Sequence, residues 1–542
     1  MRGLEVKYEE LSPAEWFRRN KELAGLTNPT RALYQTIREF VENSLDATES
    51  YGILPTVKIK IEYVDKSKGW VSVYVEDNGI GIPDHEIPNV FGKVFYSSKY
   101  RIRQHRGVFG LGAKMVILYA QSTTNKPIFV RSAPIGSDKI YEYVLMINTL
   151  KNEPIILERR EYPNKYGWHG TAVKVVIEGD WGKAKRRIEE YLRRTYMIAP
   201  YAEIYFKAPD LTLYFPRATT KLPPPPKEGL PHPKSVDVEL IKHLIARDPN
   251  LTLKEFLIEY FDGVGKQTAE AFLKWAKLDE NKKVGELTED EITYLTTKMR
   301  EFDGWRRPRA DWLSPVGEEL LVEGIKKVLE PEFVAAVTRK PSSYGGHPFI
   351  VEAAIAWGGK IPPSEKPIIY RFANKVPLLY DEGSDVVRKV VEEIDWSIYK
   401  VKFPAPLAVI VHVCSTKIPY VSAGKEAIAD VVEIEEEIML AIRECARKLR
   451  MYITKKEKEE EIYVKYATFN MYATEVAHAL AFVTRKPEEE IRKKLRELIV
   501  KKLGVDFEAK LQEEQTAKTE QAQAQTQAAS SKPETAQVAA KK

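Results

Sequence analysis

Residues 39 to 47 read Glu39-Phe40-Val41-Glu42-Asn43-Ser44-Leu45-Asp46-Ala47, within a segment whose apolar side chains recur at helical spacing. Asn28 and Pro29 precede it and are typical of an N-cap and a first-turn proline, so we predict a helix that begins near residue 29. At about 100° per residue, Glu39, Asn43 and Asp46 fall within about 60° of one another, opposite the apolar stripe. A carboxylate and a carboxamide one turn apart suit a water-activating base and a ligand for Mg²⁺. The same spacing also fits the solvated face of an amphipathic helix.

A second polar segment reads Asp77-Asn78-Gly79-Ile80-Gly81 and follows an alternating strand pattern at residues 71–76. Asp77 keeps the parity of the strand's valines, so it should point to the buried side, where a carboxylate needs hydrogen-bond donors. An adenine amino group is such a donor. Gly79 and Gly81 permit a tight turn and close backbone approach. An ordinary Asp-Asn-Gly turn is the alternative.

A third segment reads Gly107-Val108-Phe109-Gly110-Leu111-Gly112 and leads into an apolar helical run that contains Ala113 and Lys114. A glycine-rich loop at a helix N-terminus is suited to bind phosphate, because unsatisfied amides and the helix dipole face the anion. Further along, Thr171 lies on the buried side of another alternating strand, where its hydroxyl could complete an adenine pocket. Each of these patterns is weak evidence when taken alone.

These motifs resemble, in residue type and order, the ATP pocket of the GHKL ATPases, which include gyrase-type topoisomerases, Hsp90, MutL and histidine kinases. The resemblance implies a Bergerat-type α/β sandwich, with Glu39 as the catalytic base and Asn43 as the ligand of Mg²⁺. It also implies a lysine that reaches the γ-phosphate from a later domain, here Lys425. The ATP contacts implied are Asn43, Asp46, Asp77, Gly79, Gly81, Lys99, Gly107, Val108, Phe109, Gly110, Leu111, Gly112, Ala113, Lys114, Thr171 and Lys425.

The composition fits a multidomain protein. The 542 residues are too many for one core, and the net charge of +6 does not by itself indicate nucleic-acid binding. Cys414 and Cys445 are the only cysteines, which favours an intracellular protein without a disulfide framework. No apolar run is long enough to span a membrane, and no signal peptide is evident. We therefore expect a cytoplasmic protein with no membrane partner.

A polyproline stretch at residues 223–226 marks the clearest domain boundary. We predict an ATPase domain at 1–222, a linker at 223–233 and an all-helical domain at 234–306. The family resemblance alone implies that the N-terminal stretch of the first domain is a strap exchanged between two copies. Within the helical domain, Gly263 and Gly265 lie between two helices and Lys266 begins the second, so this turn could bind a DNA phosphate. It resembles a helix-two-turns-helix motif, although a plain interhelical turn is equally consistent. The basic residues Lys185, Arg186 and Arg187 form a second DNA candidate, although a solvated helix face is commoner.

From about residue 310, strand patterns return, and a long amphipathic helix follows that we expect to include Ile428 and Val431. Lys425 lies at the predicted start of this helix, where a lysine opposes the dipole unless an anion binds there. Residues 307–470 resemble the ribosomal-S5-like transducer domain of type II topoisomerases. That resemblance implies that Lys425 is the switch lysine that contacts the γ-phosphate. A solvated surface lysine is the alternative.

The order of ATPase, helical insert and transducer resembles the B subunits of type IIB DNA topoisomerases, over residues 1 to about 470. The resemblance implies ATP and Mg²⁺ as cofactors, ATP-dependent homodimerisation, and passage of duplex DNA. It also implies a partner A subunit that carries the catalytic tyrosine, in an A2B2 heterotetramer. Residues 471–511 should form a helical segment that contacts this partner, and residues 512–542 a disordered tail. An Hsp90-like chaperone clamp and a MutL-like DNA clamp without strand passage are the alternatives.

Overall fold

The structure, a computed structural model, describes residues 10–98, 102–107, 110–422 and 424–503. The structure does not describe Lys99, Val108, Phe109, residues 1–9 of the N-terminal stretch expected to form the strap, or the expected tail at 512–542. The chain divides into two compact units at residues 449 and 450.

The first part of unit one is built on a sheet that contains eight strands within the described residues, in the order β5-β4-β3-β6-β2-β1-β7-β8. Neighbouring strands are antiparallel except β1 and β7, which run parallel. Their bounds are β1 Thr56–Asp65, β2 Trp70–Asp77, β3 Ile128–Ala133, β4 Lys139–Asn148, β5 Glu153–Pro163, β6 Gly170–Glu178, β7 Glu203–Ala208 and β8 Leu211–Phe215.

Five helices of the described chain accompany this sheet: α1 Pro13–Arg19, α2 Pro29–Glu49, α3 Ile87–Gly92, α4 Gly112–Thr124 and α5 Trp181–Ile198. Helix α2 packs on β2 and β6, and α5 packs on α2. The Asn28 side chain caps α2 as predicted, because it accepts a hydrogen bond from the Arg31 backbone N–H. The layering of helices on one mixed sheet confirms the predicted α/β sandwich.

Helix α2 is buried on more sides than the sequence suggested. Its buried residues include Arg38 and Glu42 as well as the apolar stripe. The face that carries Glu39 and Asn43 borders a cavity instead of bulk solvent. The simple division into an apolar and a solvated face is therefore wrong, because the helix passes between the sheet and other elements.

The segment after the proline-rich stretch is helical, as predicted: α6 Val238–Arg247, α7 Leu253–Tyr260, α8 Lys266–Ala276 and α9 Glu289–Glu301. Capping boxes at Thr252 with Glu255 and at Thr288 with Glu291 begin α7 and α9. These helices bury a separate apolar core around Phe256 and Phe272.

A second sheet follows, in the order β10-β11-β14-β12-β13, with β9 paired to β11. Its bounds within the described chain are β9 Phe333–Thr338, β10 Ser342–Tyr344, β11 His347–Trp357, β12 Ile368–Ala373, β13 Val376–Pro377 and β14 Leu407–Ser415. Helices α10 Glu318–Leu329 and α11 Val386–Glu393 accompany it. Every residue of β14 is buried, and this strand lies at the centre of the second sheet. Cys414 on β14 and Cys445 beyond it are both buried free thiols.

The long helix α12 runs over Val432–Thr484, and α13 runs over Glu488–Leu503. Ile428 and Val431 precede α12, which corrects the expectation that they belong to it. Ile428 is nevertheless fully buried, because it pairs with Tyr420 in an isolated bridge. The expected boundary at residue 470 falls inside α12. In unit two, Tyr466, Ala473 and Ile499 form a small buried cluster.

No helix among the described residues is both long enough and apolar enough to cross a lipid bilayer.

Candidate nucleotide-binding site

A cavity of about 1230 Å³ in unit one brings together most of the residues predicted to bind ATP. Helix α2, the end of β2, the start of β6, the N-terminus of α4 and the segment before α12 contribute to its walls. The predicted residues that line it are Glu39, Asn43, Asp46, Asp77, Gly81, Gly107, Gly110, Leu111, Gly112, Ala113, Lys114, Thr171 and Lys425. Gly79 is not among its lining residues.

Asp77 ends β2 on the buried side, as its parity predicted, and is 6% exposed. Its Oδ1 accepts hydrogen bonds from the backbone N–H groups of Gly79 at 2.9 Å and Thr171 at 3.1 Å. Burial raises the pKa of Asp77 to about 6, although these two hydrogen bonds act in the opposite direction. The carboxyl group is therefore held in place at the cavity wall, and it changes charge near neutral pH.

Two glycines lie where there is no room for a side chain. Gly81 has a φ of +73°, and a Cβ there would overlap the Ala133 backbone. Gly112 begins α4, and a Cβ there would overlap the Glu39 carboxylate. These positions explain why the chain needs glycine where β3 and α2 approach the second and third motifs.

Glu39 lies at the cavity wall with a defined orientation. Gln35, one turn earlier on α2, donates a hydrogen bond from Nε2 to Glu39 Oε1 at 2.8 Å. The carboxylate also lies against the N-terminus of α4, where helix amides and the dipole favour negative charge. Glu39 is thus placed between Asn43 on its own helix and the glycine-rich loop.

The side chain of Lys114 supports the glycine-rich loop by donating hydrogen bonds to backbone carbonyl groups. Its ammonium donates to the carbonyl oxygens of Tyr96 and Gly110, each at 2.9 Å. The side chain is 5% exposed, although it lines the cavity. In this arrangement, Lys114 ties the segments before and within the loop together.

Lys425 lies before α12 and not at its N-terminus, which corrects the expected position. The helix dipole therefore does not act on this residue as proposed from the sequence. Lys425 has a left-handed backbone, with φ of +55°, which costs about 1 kcal/mol or more for a residue with a side chain. It nevertheless lines the same cavity as Glu39 and Asn43.

A buried ion cluster, which the sequence did not indicate, joins α2 to the Lys425 segment. Arg38 Nη1 is 2.5 Å from Glu426 Oε1, and Arg38 Nε is 2.7 Å from Glu42 Oε1. Arg38 Nη2 also donates to the Lys425 carbonyl at 3.4 Å. Arg38, Glu42 and Glu426 are 2%, 4% and 1% exposed. The Arg38 and Glu426 positions are 388 residues apart, so no local pattern could reveal the pair.

A second buried ion cluster joins α2, the segment before the glycine-rich loop, and the turn between β12 and β13. Arg106 pairs with Glu49 at 2.6 Å and with Asp46 at 3.2 Å. Lys375 pairs with Glu49 at 3.3 Å and donates to Ser314 Oγ at 2.7 Å. Asp46 is therefore paired through Arg106 to the start of the loop, besides lining the cavity.

The DNA candidates lie away from this cavity. Gly263 has a φ of +70°, Gly265 is the N-cap of α8 and Lys266 is exposed at the first position of that helix. On α5, Lys185 pairs with Asp210, whereas Arg187 donates to the Leu379 carbonyl and lies over the Tyr380 ring. Arg186 is exposed. Two of these three candidate side chains thus have intramolecular partners.

Comparisons with known proteins agree with this geometry. The sequence model described as "Histidine kinase-, DNA gyrase B-, and HSP90-like ATPase" matches residues 28–145. The model described as "Topoisomerase VI B subunit, transducer" matches residues 308–465. These two matches confirm the predicted ATPase and transducer folds.

Three curated relatives are each named as the B subunit of type 2 DNA topoisomerase 6. That of Pyrobaculum aerophilum is 66% identical over 501 residues, which cover 92% of this chain and 95% of the relative. That of Sulfurisphaera tokodaii is 51% identical over 520 residues, covering 94% and 98%. That of Metallosphaera sedula is 50% identical over 510 residues, covering 92% and 96%. These relatives favour a topoisomerase component over a chaperone-like or mismatch-repair-like clamp, and the chain belongs to the family of type 2 DNA topoisomerase 6 B subunits.

Proposed function

We propose that this chain binds and hydrolyses ATP in the cavity described above, and that the bound nucleotide gates the passage of duplex DNA. One observation supports the site above all others. Glu39, Asp77, Gly112, Thr171 and Lys425 come from distant parts of the chain and line a single cavity. We also propose that the domains of this chain have the boundaries predicted from its sequence.

ATP and Mg²⁺ fit the groups that surround the cavity. Its volume exceeds the roughly 300–1000 Å³ typical of small-molecule sites, so a nucleotide has room. Asp77 offers a carboxylate to the adenine amino group, and the N-terminus of α4 offers backbone amides to phosphate. No group of three or more His, Cys, Asp or Glu side chains in the described ranges could hold a metal. In nucleotide sites Mg²⁺ is held mainly by phosphate and water, so Asn43 would suffice as a protein ligand.

Glu39 and Lys425 would have separate roles in ATP hydrolysis. Glu39 would accept a proton from the attacking water, because Gln35 and the start of α4 hold its carboxylate at the cavity wall. Lys425 would contact the γ-phosphate and report its presence to the segment that leads into α12. Hydrolysis would end that contact and allow the gate to reopen.

We further propose that ATP binding joins two copies of this chain around a duplex, and that residues 471–511 contact an A subunit that carries the DNA-cleaving tyrosine, in an A2B2 heterotetramer. Exposed apolar side chains on the part of α12 that belongs to unit two support a protein partner. They are 40% to 89% exposed: Val464, Met471, Tyr472, Val476, Leu480, Phe482 and Val483. We also propose that the chain is located in the cytoplasm, and fractionation of source cells would test this location.

The assignment of Glu39 is tested by measuring ATP binding and turnover separately. Glu39→Ala should keep nucleotide affinity while turnover falls by about a hundredfold or more, as expected when a positioned base is lost. Glu62→Ala, which removes an exposed glutamate from β1, is the matched control. Normal turnover in the Glu39 variant would remove this residue from the proposed role.

The partner assignment is tested by mixing the full chain, closed with a non-hydrolysable ATP analogue, with lysate from the source cells. A single stoichiometric partner with a candidate tyrosine nucleophile and an acidic metal cluster is the expected result. A range of unrelated client proteins would instead favour the chaperone-like clamp.

A further inference from the structure

The guanidinium of Arg38 connects the nucleotide-lining helix α2 to a segment that lies almost four hundred residues further along the chain. Its Nε is paired with Glu42 on the same helix, whereas Nη1 and Nη2 contact Glu426 and the Lys425 carbonyl. Arg38 and Glu42 directly precede Glu39 and Asn43 on α2. Arg38 therefore connects the helix that carries Glu39 and Asn43 to the backbone of Lys425.

The Lys425 segment is also held from its other side. Arg371, which is buried on β12, donates from Nη1 to the Glu426 carbonyl at 3.2 Å and pairs with Asp385 at 2.8 Å. Asp385 in turn accepts a hydrogen bond from the Ile428 backbone at 2.9 Å. Residues 425–428 thus have buried charged partners on α2 and on the second sheet. Movement of α2 relative to that sheet has to change one of these two sets of contacts.

Both sets of contacts include buried polar atoms that have no hydrogen-bond partner. Among the described side chains, these are Glu426 Oε2 and the Tyr34 hydroxyl on the side of α2, and Arg371 Nε on the side of the second sheet. Buried polar atoms without partners are rare in folded proteins, and each one calls for a structural or functional reason. The left-handed backbone of Lys425 points the same way, because strained residues of this kind persist only where neighbouring contacts hold them.

We propose that Arg38 and Glu426 form a positioning pair that holds Lys425 at the nucleotide cavity. The inference rests on the proposed contact between Lys425 and nucleotide, but it assigns a separate task to two residues outside that contact. Glu42 provides the comparison within the same cluster, although its carboxylate also attracts the Lys425 ammonium through space. Glu42 and Glu426 are both buried partners of the same guanidinium, and only Glu426 belongs to the Lys425 segment.

The test measures the accessibility of Lys425 directly. The full chain is treated with limiting acetic anhydride, with and without a non-hydrolysable ATP analogue, and acetylation of Lys425 is quantified by peptide mass spectrometry. Lys165, an exposed residue away from the cavity, serves as the internal reference. The wild-type chain, Glu426→Gln and Glu42→Gln are compared, after thermal unfolding has shown that both variants are folded.

The expected result is that nucleotide protects Lys425 in the wild type and in Glu42→Gln, and that most of this protection is lost in Glu426→Gln. ATP turnover of Glu426→Gln should fall by about tenfold to a hundredfold, because displacement of a functional group by about 1 Å has effects of that size. Should Glu426→Gln not fold, Arg38→Lys replaces it, since lysine keeps the charge but lacks the planar fork.

Two failures are distinguishable. If nucleotide does not protect Lys425 in the wild-type chain, the proposed contact between Lys425 and ATP is wrong. If protection is present in the wild type and equally strong in both glutamine variants, Lys425 reaches the cavity without the help of Glu426, and the positioning pair is wrong.

Discussion

The carboxyl group of Asp77 is held between two opposing influences. Burial at the end of β2 disfavours its charged form, whereas the N–H groups of Gly79 and Thr171 favour it. Burial dominates, and the pKa rises from 3.8 to about 6. Between these two values the folded chain keeps a proton that the unfolded chain has lost. This group therefore favours the folded state most at pH below 3.8, and that contribution is lost as the pH rises through about 6.

The same equilibrium should control nucleotide affinity with the opposite sign. Only the ionised carboxylate can accept a hydrogen bond from the adenine amino group without competition from its own proton. We expect the affinity for ATP to rise by about tenfold between about pH 5 and pH 7 through this group. Isothermal titration across this range checks the effect. The Asp77→Asn variant should bind ATP more weakly than the wild type and lack this part of the pH dependence. The phosphates of ATP titrate identically in both experiments, so their contribution cancels when the two proteins are compared. An equal slope in the two proteins would contradict the assignment.

Gly112 offers a second test at single-residue resolution. A Cβ at this position would overlap the Glu39 carboxylate, so Gly112→Ala should displace that carboxylate while leaving Asp77 in place. We expect turnover to fall by about a hundredfold and affinity for ATP to change much less, because misplacement of a catalytic group affects chemistry more than binding. Gly383→Ala is the control, since a Cβ there meets nothing within 4 Å. A normal rate for Gly112→Ala would show that Glu39 need not lie where the structure puts it.

At the scale of single elements, α8 allows the proposed DNA contact to be measured. Lys266 is exposed at its first position, next to the N-cap Gly265. If it contacts a phosphate, Lys266→Gln should weaken duplex binding and reduce the slope of log affinity against log salt by about one. Lys274→Gln removes an exposed charge from the last turn of the same helix and should leave the slope unchanged. Identical slopes for both variants and the wild type would make the helical segment a spacer.

The elements that local patterns define were predicted well, and contacts between distant segments were not. The start of α2 at Pro29, the parity of Asp77 and the capping boxes of α7 and α9 all depend on neighbouring residues, and the structure confirms them. The start of α12 was misplaced because Ile428 continues the apolar spacing of the helix, although tertiary contacts bury it in a loop. Arg38 was overlooked because its partner Glu426 becomes adjacent only in the folded chain. The roles of the cavity residues in ATP binding stay predictions.

At the scale of the whole molecule, the exposed apolar side chains of unit two should affect assembly without affecting the nucleotide site. Phe482 and Val483 are 89% and 76% exposed. Replacing both with serine should abolish co-purification with the A subunit, because the apolar surface buried on association is lost. The ATP turnover of the chain itself should be unchanged. Leu150→Ser, which alters an equally exposed residue of unit one, is the control. Retained co-purification of the double variant would place the partner's contact elsewhere.

The buried cluster of Asp46, Glu49, Arg106 and Lys375 limits where this chain can be divided into stable fragments. Its two anions and one of its cations precede residue 222, whereas Lys375 follows it. A fragment that ends at 222 would keep two carboxylates with a single arginine and would expose groups that are shielded in the intact protein. It would also separate Arg38 from Glu426. We expect such a fragment to be less stable than the intact chain, because it lacks the electrostatic partners that lie beyond residue 222.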